Sequence, residues 1–508
     1  MKYLVTGKEM KLLDQNTSGY FKVPELVLME QAAMHFVWKL CDVLDGIENK
    51  KGIVFCGLGN NGADGIAIAR LLNERGIPTY VCKIQDLLKE KPETSESFRV
   101  QESIYQSYDY PVLHNMEQAK FVECDFVIDA VFGIGLSRGL NEEYSQIINQ
   151  INALKATKIA VDMPSGINSD NGQIMGAAVS CDHTITFSFE KLGQFLWPGF
   201  EYAGKTHVVD IGITERSWLE KRPSMAYLEK KDLLQLPERP AHSNKGTFGK
   251  VLIIAGSINM SGAAVFAARA AYRCGAGLVK VFTSEENRNI IQTAIPEALL
   301  STFGNRLERE KLIEDINWAD AIVIGPGIGS GKIAREMVEL VRSVASVPVV
   351  WDADALNIIS EDVNKLLLPH TEYIMTPHLG EFSRLTNQTI HWIQSDLVES
   401  AVDFARTYDI ICVLKDFHTV TANPYGLSYL NLSGNNGMAT GGSGDVLSGV
   451  IGALLAQGMK AQDAAAYGVY IHGLAGDIAR TYSGCHALIA SDIIEALKDV
   501  WKGTDYVK

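Results

Sequence analysis

Short apolar segments alternate with longer helical patterns along the whole chain. In the N-terminal half these segments are rich in β-branched residues and predict strands at 53–56, 79–83, 126–130, 158–162, 183–187 and 207–211. Helical patterns cover residues 66–75 and much of 8–44. Repeated strand–turn–helix units of this kind indicate a doubly wound parallel sheet with helices on both faces.

The alternation breaks down between residues 212 and 250, in a charged and proline-containing stretch. It then restarts, with helices predicted at 262–274 and 445–457 and strands at 250–255, 278–282, 321–325, 347–352, 373–376 and 410–415. A chain of 508 residues exceeds one ordinary core. We therefore place a boundary near residue 225 and predict two α/β domains, 1–225 and 226–508.

Composition narrows the class of protein. The net charge of -14 argues against nucleic-acid binding, although amides and a few lysines can still hold a phosphate ligand. The eight cysteines form no CxxC pair, as in a reduced cytoplasmic protein. Because the chain shows no signal peptide and no apolar run of membrane length, we expect a cytoplasmic protein without membrane or nucleic-acid partners.

The segment GLGNNGADG (57–65) follows a predicted strand and precedes a helix. It satisfies GxGxxG, and Asp86 lies near the distance of a ribose-binding acid, so a Rossmann-type dinucleotide oxidoreductase is one open interpretation. Against it, the Asp64 carboxylate would repel a pyrophosphate at the helix N-terminus. Asn60, Asn61 and Asp64 instead suggest oxygen ligands for a cation or a hydroxyl-rich molecule. A purely structural turn, with Asp64 as the helix cap, is the remaining interpretation.

Two further polar turns follow predicted strands, one beginning at Asp129 and the other at Asp162. The carboxyl ends of parallel strands meet at one edge of a sheet, where ligands bind. Asn61, Asp129, Asp162 and Ser165 are therefore expected to converge. Lys191 follows another predicted strand. Three interpretations of it stay open: a proton-transfer group, a phosphate contact or a solvated surface residue.

The motifs NNGADG, DAVFGIGLSR and VDMPSG together resemble the NAD(P)H-hydrate epimerase family over most of residues 1–220. The resemblance implies potassium ligands at Asn61, Asp129 and Ser165. It departs from the family at Ala63, commonly glycine, and at Ile134, often threonine. The residues that it implies for binding the hydrate are Asn60, Asn61, Gly62, Ala63, Asp64, Gly133, Ile134, Gly135, Leu136, Ser137, Arg138, Gly139 and Asp162.

The implied substrate carries a hydroxyl on the carbon beside the ring nitrogen. That carbon can invert through an opened or a dehydrated intermediate, which needs proton transfer but no redox step. Asp162 and Lys191 are the candidate acid–base pair.

The glycine-rich segment NNGMATGGSGDVLSG (435–449) opens a long apolar helix in the C-terminal half. Backbone amides of Gly442–Gly444 and the helix dipole would form an anion hole for a transferring phosphoryl group. Asp445, beside that hole, is placed to take a proton from an attacking hydroxyl.

This turn resembles the G-x-G-D turn of the ribokinase-like superfamily. Further segments at 242–256, 325–329, 352–356, 376–381 and 415–419 are similar to the ADP-dependent NAD(P)H-hydrate dehydratases over residues 230–500. The resemblance implies substrate contacts at Gly262, Gly327, His378 and Asp445, and it departs from many relatives at Asp416, often glycine. The implied nucleotide contacts are Lys415, Asp416, Phe417, His418, Thr419, Asn435, Asn436, Gly437, Met438, Ala439, Thr440, Gly441, Gly442, Ser443 and Gly444.

These resemblances imply a bifunctional repair enzyme for hydrated NADH and NADPH (NADHX and NADPHX). The N-terminal domain would interconvert R and S hydrates, and the C-terminal domain would dehydrate the S hydrate with ADP and Mg²⁺, releasing AMP and phosphate. We also expect a homo-oligomer. Two alternatives stay open: a small-molecule kinase fused to a nucleotide-binding sensor domain, and an N-terminal half that only senses a ligand.

Overall fold

The computed structural model describes residues 1–90, 92–236, 238–367 and 371–505. The chain divides into two compact units, one formed by Tyr3–Met225 and the other by Met1–Lys2 with Ala226–Lys508. Both units alternate strands and helices, which confirms the predicted α/β class. In the described part of the chain, no helix combines the length and the apolar character needed to cross a membrane.

The N-terminal unit is built on a parallel sheet of strand order β4-β3-β2-β5-β6-β7-β9. The remaining two strands, β1 and β8, pair with each other in parallel. The bounds of the strands are β1 (Lys2–Val5), β2 (Gly52–Cys56), β3 (Thr79–Lys83), β4 (Val112–Leu113), β5 (Phe126–Ala130), β6 (Thr157–Val161), β7 (His183–Phe187), β8 (Glu190–Lys191) and β9 (Lys205–Val209).

Helices cover both faces of this sheet. Val54 and Cys56 pack in a core that includes residues of the first three helices, whereas Ile53 and Phe55 pack with α7. The bounds of the helices are α1 (Gly7–Gly19), α2 (Glu25–Val43), α3 (Asn60–Glu74), α4 (Ile84–Leu87), α5 (Glu96–Ser107), α6 (Met116–Phe121), α7 (Glu142–Asn152) and α8 (Gly199–Ala203).

The order of the sheet reverses between β2 and β5, and this reversal creates a crevice at their carboxyl ends. The two strand ends approach closely: Gly57 N–H donates to Ala130 C=O at 2.9 Å. A Cβ at Gly57 would lie 1.8 Å from the Val131 carbonyl oxygen, so only glycine fits there.

Helix α3 begins at Asn60, six residues earlier than the predicted start at 66, so most of the predicted turn is helical. The earlier start of the helix is explained by packing. Gly62 packs directly on the turn after β2, where an added Cβ would lie 2.0 Å from the carbonyl oxygen of Gly57. The interpretation of Asp64 as a helix cap is therefore wrong, since Gly59 occupies the cap position. The strand predicted at 207–211 begins at Lys205 and ends at Val209.

The C-terminal unit contains a sheet of order β13-β12-β11-β14-β15-β16-β17-β18-β19. It is parallel from β13 to β17, and the last two pairings are antiparallel. The strands are β10 (Met225–Tyr227), at the junction of the units in the sequence, β11 (Lys250–Ile254), β12 (Leu278–Ser284), β13 (Leu299–Phe303), β14 (Ala321–Ile324), β15 (Val349–Trp351), β16 (Tyr373–Met375), β17 (Ile411–Leu414), β18 (Val420–Ala422) and β19 (Ser428–Leu430).

The core of the C-terminal unit forms around a buried helix, α17, which packs on α9 and α18 and against β11 and β14. Its predicted start, at the aspartate, is two residues late. The helices are α9 (Ser261–Arg273), α10 (Arg288–Ala294), α11 (Arg309–Trp318), α12 (Lys332–Val344), α13 (Asp354–Ile359), α14 (Leu379–Thr386), α15 (Ile390–Ser395), α16 (Leu397–Tyr408), α17 (Ser443–Ala456), α18 (Ala461–Ala487) and α19 (Ala490–Asp505).

Candidate active sites

A cavity of about 580 Å³ opens at the crevice of the N-terminal unit. Its wall includes the turns after β2 and β5, together with one side of α1 and α2. This volume lies within the range of small-molecule and cofactor sites. Among the predicted hydrate-binding residues, those that line it are Asn60, Asn61, Asp64, Gly133, Ile134, Gly135, Leu136, Ser137, Arg138 and Asp162.

Gly62, Ala63 and Gly139 are not among the residues that form this wall. Gly62 and Ala63 are buried on the side of α3 that packs against the rest of the unit. Their small size permits close packing of the helix, and their contact with a ligand stays a prediction.

Asp162 follows β6 directly and adopts a φ of 66°, a conformation that is rare for a residue with a side chain. Its Oδ1 accepts hydrogen bonds from the Thr186 hydroxyl and from Phe187 N–H, both at 3.0 Å, and from the Lys191 ammonium. The carboxylate is thus held in one orientation at the cavity wall. Hydrogen bonds from an ammonium and an amide stabilise its ionised form.

Lys191 has a fully buried side chain. Its strand, β8, pairs with β1, where Val5 lies opposite Lys191. The ammonium donates to Asp162, to Thr186 Oγ1 at 2.9 Å and to the Phe187 carbonyl at 3.0 Å, so all of its hydrogens are used. Lys191 is therefore neither a solvated surface residue nor a free phosphate contact.

Asp129 and Ser165 lie side by side in the interior, and both are fully buried. Ser165 donates to the Asp129 carboxylate through its hydroxyl at 2.6 Å and its backbone N–H at 2.7 Å. Burial raises the pKa of Asp129 to about 6, although these hydrogen bonds oppose the rise. Asn61 lies against the neighbouring turn, where a Cβ added to Gly133 would be 3.2 Å from its Oδ1. The buried Nδ2 of Asn61 has no hydrogen-bond partner in the described residues.

Two more carboxyl groups reach the cavity. Asp64 projects from α3, and burial raises its pKa well above the usual value, with a further contribution from Asp162. Asp14 projects from α1, outside every motif of the sequence analysis. The only sequence signal for Asp14 is its place in an otherwise buried helical stripe that contains Met10, Leu13 and Thr17.

The second site lies at the start of α17. Gly442 precedes the helix with a φ of 90°, and a Cβ there would be 2.6 Å from the Phe266 ring, so glycine is required on both grounds. Asp445 lies in the first turn of the helix. Burial, reinforced by Asp352, raises the pKa of Asp445 to about 7, whereas Lys415 lowers it.

A buried aspartate supports this helix start from the end of β15. Asp352 accepts from the Lys415 ammonium at 3.1 Å and from the Ser448 hydroxyl. A Cβ added to Gly444 would lie 3.5 Å from Nζ of Lys415, so the lysine ammonium is close to the backbone at the start of α17. The end of β17, the end of β15 and the N-terminus of α17 therefore meet at one place.

The other predicted substrate contacts lie along the same edge of the sheet. His378 caps α14, where its Nδ1 accepts from Gly380 N–H at 3.0 Å, and its backbone pairs with Lys415 in a β-bridge. Gly327 has a φ of 62°, and a Cβ added to it would lie 3.1 Å from the Cβ atoms of Met260 and Ala263. Gly262 follows Met260 in the first turn of α9.

The predicted nucleotide contacts form two loops. Residues 415–419 connect the antiparallel strands β17 and β18, and there Phe417 packs on His418 while Asp416 accepts from Gln394 at 3.4 Å. Residues 435–444 lead into α17. In that loop, Asn435 Oδ1 accepts from Gly437 N–H at 3.1 Å while its Nδ2 donates to Asp477 at 2.9 Å.

Comparison with known proteins gives a match for each unit. Residues 251–499 match the family model described as NAD(P)H-hydrate dehydratase. Residues 25–193 match the model described as YjeF-related protein N-terminus. The two models together cover most of the chain and include the cavity turns and the start of α17.

Full-length relatives extend this match. The bifunctional NAD(P)H-hydrate repair enzyme of Moorella thermoacetica is 36% identical over 99% of this chain and 97% of that protein. The Escherichia coli enzyme of the same description is 36% identical over 88% of this chain and 84% of its own. A crystal structure of a ribokinase-like superfamily protein from Enterococcus faecalis is 30% identical, with a TM-score of 0.50, and covers 55% of this chain and 96% of that one.

The fold and the two sites define an α/β enzyme with a separate ligand site at the strand ends of each unit. The glycine-lined helix start beside a raised-pKa aspartate is typical of phosphoryl-transfer chemistry. With relatives that match along nearly its whole length, the chain belongs to the family of bifunctional NAD(P)H-hydrate repair enzymes.

Proposed function

We propose that the protein repairs hydrated NADH and NADPH. The N-terminal unit interconverts the R and S hydrates, and the C-terminal unit dehydrates the S hydrate at the expense of a nucleotide. The observation that carries the proposal is that each unit, matched by its own family model, holds an aspartate aimed at a strand-end site: Asp162 at the cavity and Asp445 at α17.

In the N-terminal unit, Asp162 serves as the proton acceptor and is fixed by its hydrogen bonds. The structure encloses Lys191 behind Asp162, so we assign Lys191 a positioning role rather than direct contact with substrate. The loop residues Gly133–Arg138 and the start of α3 hold the dinucleotide. Arg138 supplies a positive charge at the wall for its phosphates.

A potassium ion fits the residues near Asp129. Asn61, Asp129 and Ser165 offer amide, carboxylate and hydroxyl groups, and hard cations prefer such oxygen ligands. The unpartnered amide of Asn61 supports this fit, because rotating the amide presents its oxygen to a cation. When bound, the ion supplies a positive charge that offsets the buried carboxylate.

In the C-terminal unit, Asp445 accepts the proton of the substrate hydroxyl while that oxygen attacks the terminal phosphate of the nucleotide. The ring-nitrogen lone pair then expels phosphate, and loss of a proton from the adjacent carbon restores the dihydropyridine. Phosphate is a far better leaving group than hydroxide, which explains a kinase-like site in a dehydratase. The amides at the start of α17 and the Lys415 ammonium stabilise the phosphoryl charge.

We propose ADP as the donor, which leaves as AMP. Magnesium, when bound, would neutralise the nucleotide phosphates, and the carboxylate of Asp354, which lies close enough to Asp445 to raise its pKa, is an oxygen donor that fits it. A cytoplasmic location and homo-oligomeric assembly stay predictions. All eight cysteines are free thiols, as a reducing compartment requires.

The test uses the full chain with a mixture of R and S NADH hydrates, Mg²⁺, K⁺, and either ADP or ATP. We expect both epimers to disappear, the reduced-nicotinamide absorbance to recover, and one phosphate to be released per NADH. A phosphorylated hydrate that accumulates would instead indicate a kinase.

A further inference from the structure

A carboxyl group with no structural partner faces the N-terminal cavity from α1. The helix is anchored by Met10 and Leu13, which are buried, and one turn beyond Met10 the side chain of Asp14 lies at the cavity wall. Within the described ranges, no hydrogen bond or ion pair holds its carboxyl. A half-buried acid without a partner costs stability, so its position calls for a functional explanation.

Asp14 and Asp162 line the same cavity in different surroundings. An ammonium, a hydroxyl and an amide all donate to the carboxylate of Asp162, whereas no such donor reaches the carboxyl of Asp14 in the described part of the chain. Burial raises the pKa of Asp14 to about 6; Lys191 opposes the rise, whereas Asp162 and Glu25 add to it. A carboxyl group without hydrogen-bond donors and a carboxylate held by three of them, at the wall of one cavity, are suited to act as acid and base of one reaction.

We propose that Asp14 is the proton donor to the departing hydroxyl of the hydrate during epimerisation, with Asp162 as the base on the other side of the ring. The inference rests on the proposed function and deepens it. Asp14 protonates the hydroxyl as the carbon–oxygen bond breaks. Water leaves, and the nitrogen lone pair forms a C=N⁺ bond.

Inversion follows when a water molecule adds to the opposite face of that carbon. The electron pair of the C=N⁺ bond returns to nitrogen, and Asp162 takes the proton of the incoming water. The net change is one inverted centre and one proton moved from Asp14 to Asp162, which exchange with solvent restores. No oxidant, reductant or nucleotide is consumed.

The charge of the cavity favours this dehydrated intermediate over a ring-opened one. The dehydrated ring is a cation, whereas the ring-opened form is neutral. Asp14 lies at the cavity wall and becomes a carboxylate as it donates its proton, so a negative charge appears there while the ring becomes a cation. That charge stabilises the cation as it forms, whereas a neutral ring-opened form would gain nothing from it.

The expected pH dependence follows from the charged groups around Asp14. Because Asp14 donates a proton, the epimerisation rate falls as pH rises through about 6. The groups that face the same cavity or act on Asp14 are Lys11 on its own helix, Glu25 on α2, Asp64 on α3, Arg138 after β5, Asp162 after β6 and Lys191 on β8.

The first experiment compares Asp14→Asn with the wild-type full chain on the R hydrate of NADH. We expect kcat of epimerisation to fall by about 100- to 10,000-fold, with KM nearly unchanged, and the decline above pH 6 to vanish. Asp42→Asn, which removes an exposed carboxylate of α2 that pairs with Lys39 at the surface, is the matched control and keeps full activity. Dehydration of the S hydrate by the same preparation verifies folding.

The second experiment follows oxygen. In H₂¹⁸O, each wild-type inversion should place one ¹⁸O in the S hydrate, above a blank without enzyme. Retention of the original oxygen, or an Asp14→Asn variant with wild-type rate and pH profile, overturns the role of Asp14 while epimerisation itself stands. A wild-type chain that does not interconvert the hydrates overturns the proposed function as well.

Discussion

The ammonium of Lys191 and the carboxylate of Asp162 are in direct contact inside the N-terminal unit, and the lysine side chain has no exposed surface. Their hydrogen bonds to Thr186 and Phe187 close the network. A buried pair of this kind is fully satisfied only when both charges are present. The contact therefore fixes the orientation of the carboxylate that faces the cavity.

The first prediction concerns this pair. Lys191→Met leaves an uncompensated buried carboxylate, so the N-terminal unit should lose about 3–5 kcal/mol of unfolding free energy. Adding Asp162→Asn removes the charge and should restore most of that loss, but not epimerisation. Urea unfolding gives the free energies, and hydrogen exchange of peptides from residues 157–191 locates the effect. Equal destabilisation in the single and double variants would contradict a coupled pair.

The second prediction concerns potassium. Asp129→Asn keeps the shape of the side chain but removes its charge, so epimerisation and its response to K⁺ should both be lost while dehydration continues. In the wild type, protons compete for a carboxyl whose pKa is about 6, so half-maximal activation should need more K⁺ at pH 6 than at pH 8. Asp125→Asn, an exposed aspartate at the opposite end of β5, is the control. A K⁺ response unchanged in Asp129→Asn would refute the site.

The sequence contained enough to predict the strands and the turns at their carboxyl ends. Asp129 and Asp162 were found because each ends an apolar β-branched run, and parallel topology then brings such ends together. The start of α3 was missed because its Asn-Asn-Gly composition is typical of turns. Close packing of Gly62 on the strand turn outweighs that local preference.

Two features of the site depend on tertiary structure alone. Asp14 reaches the cavity because the whole helix α1 packs beside it, and no local pattern links Asp14 to Asp162 across nearly 150 residues. The burial of Lys191 depends on the pairing of β8 with the N-terminal strand β1. Sequence spacing could not reveal either contact.

The third prediction concerns Asp445. Asp445→Asn should slow dehydration by about 100- to 10,000-fold, because the general base is lost, without affecting epimerisation. Steady-state rates on the S hydrate with ADP measure this. Asp499→Asn, which removes an aspartate that pairs at the surface with Lys502, should leave dehydration unchanged. Near-normal repair of the S hydrate by Asp445→Asn would exclude Asp445 as the base.

The same variant tests whether the buried Asp445 carboxyl destabilises the folded protein. In the folded protein Asp445 keeps its proton up to about pH 7, whereas in the unfolded chain it ionises at an ordinary acidic pH. Stability is therefore lost as pH rises through this interval. At pH 8, Asp445→Asn should raise Tm by about 2–4 °C for each kcal/mol recovered, and at pH 4 it should not. A Tm shift that is the same at both pH values would contradict this linkage.

The fourth prediction is that the two units work separately. Each has its own core and its own site, and each exceeds 200 residues. A fragment of residues 1–225 should interconvert the hydrates without nucleotide. A fragment of residues 226–508 should consume the S hydrate and then stall, and mixing the two should restore complete repair. Consumption of both epimers by the C-terminal fragment alone, above a slow blank, would contradict this division.

The fifth prediction joins the two sites through pH. Dehydration needs ionised Asp445, whose pKa is about 7 under the influence of Asp352, Asp354 and Lys415, so its rate should rise between pH 6 and pH 8. At saturating K⁺, epimerisation needs protonated Asp14, whose pKa is about 6, so its rate should fall over the same interval. The intact chain should therefore change its rate-limiting step within this range.

Chromatographic separation of the two hydrates during the reaction measures that change directly. At pH 6, the R and S hydrates should decline together, because epimerisation outruns dehydration. At pH 8, the S hydrate should vanish first and the R hydrate should persist, because its conversion has become slow. In Asp14→Asn the R hydrate should persist at both pH values. Parallel decline of the epimers at every pH would show that the two rates do not respond to pH in opposite directions.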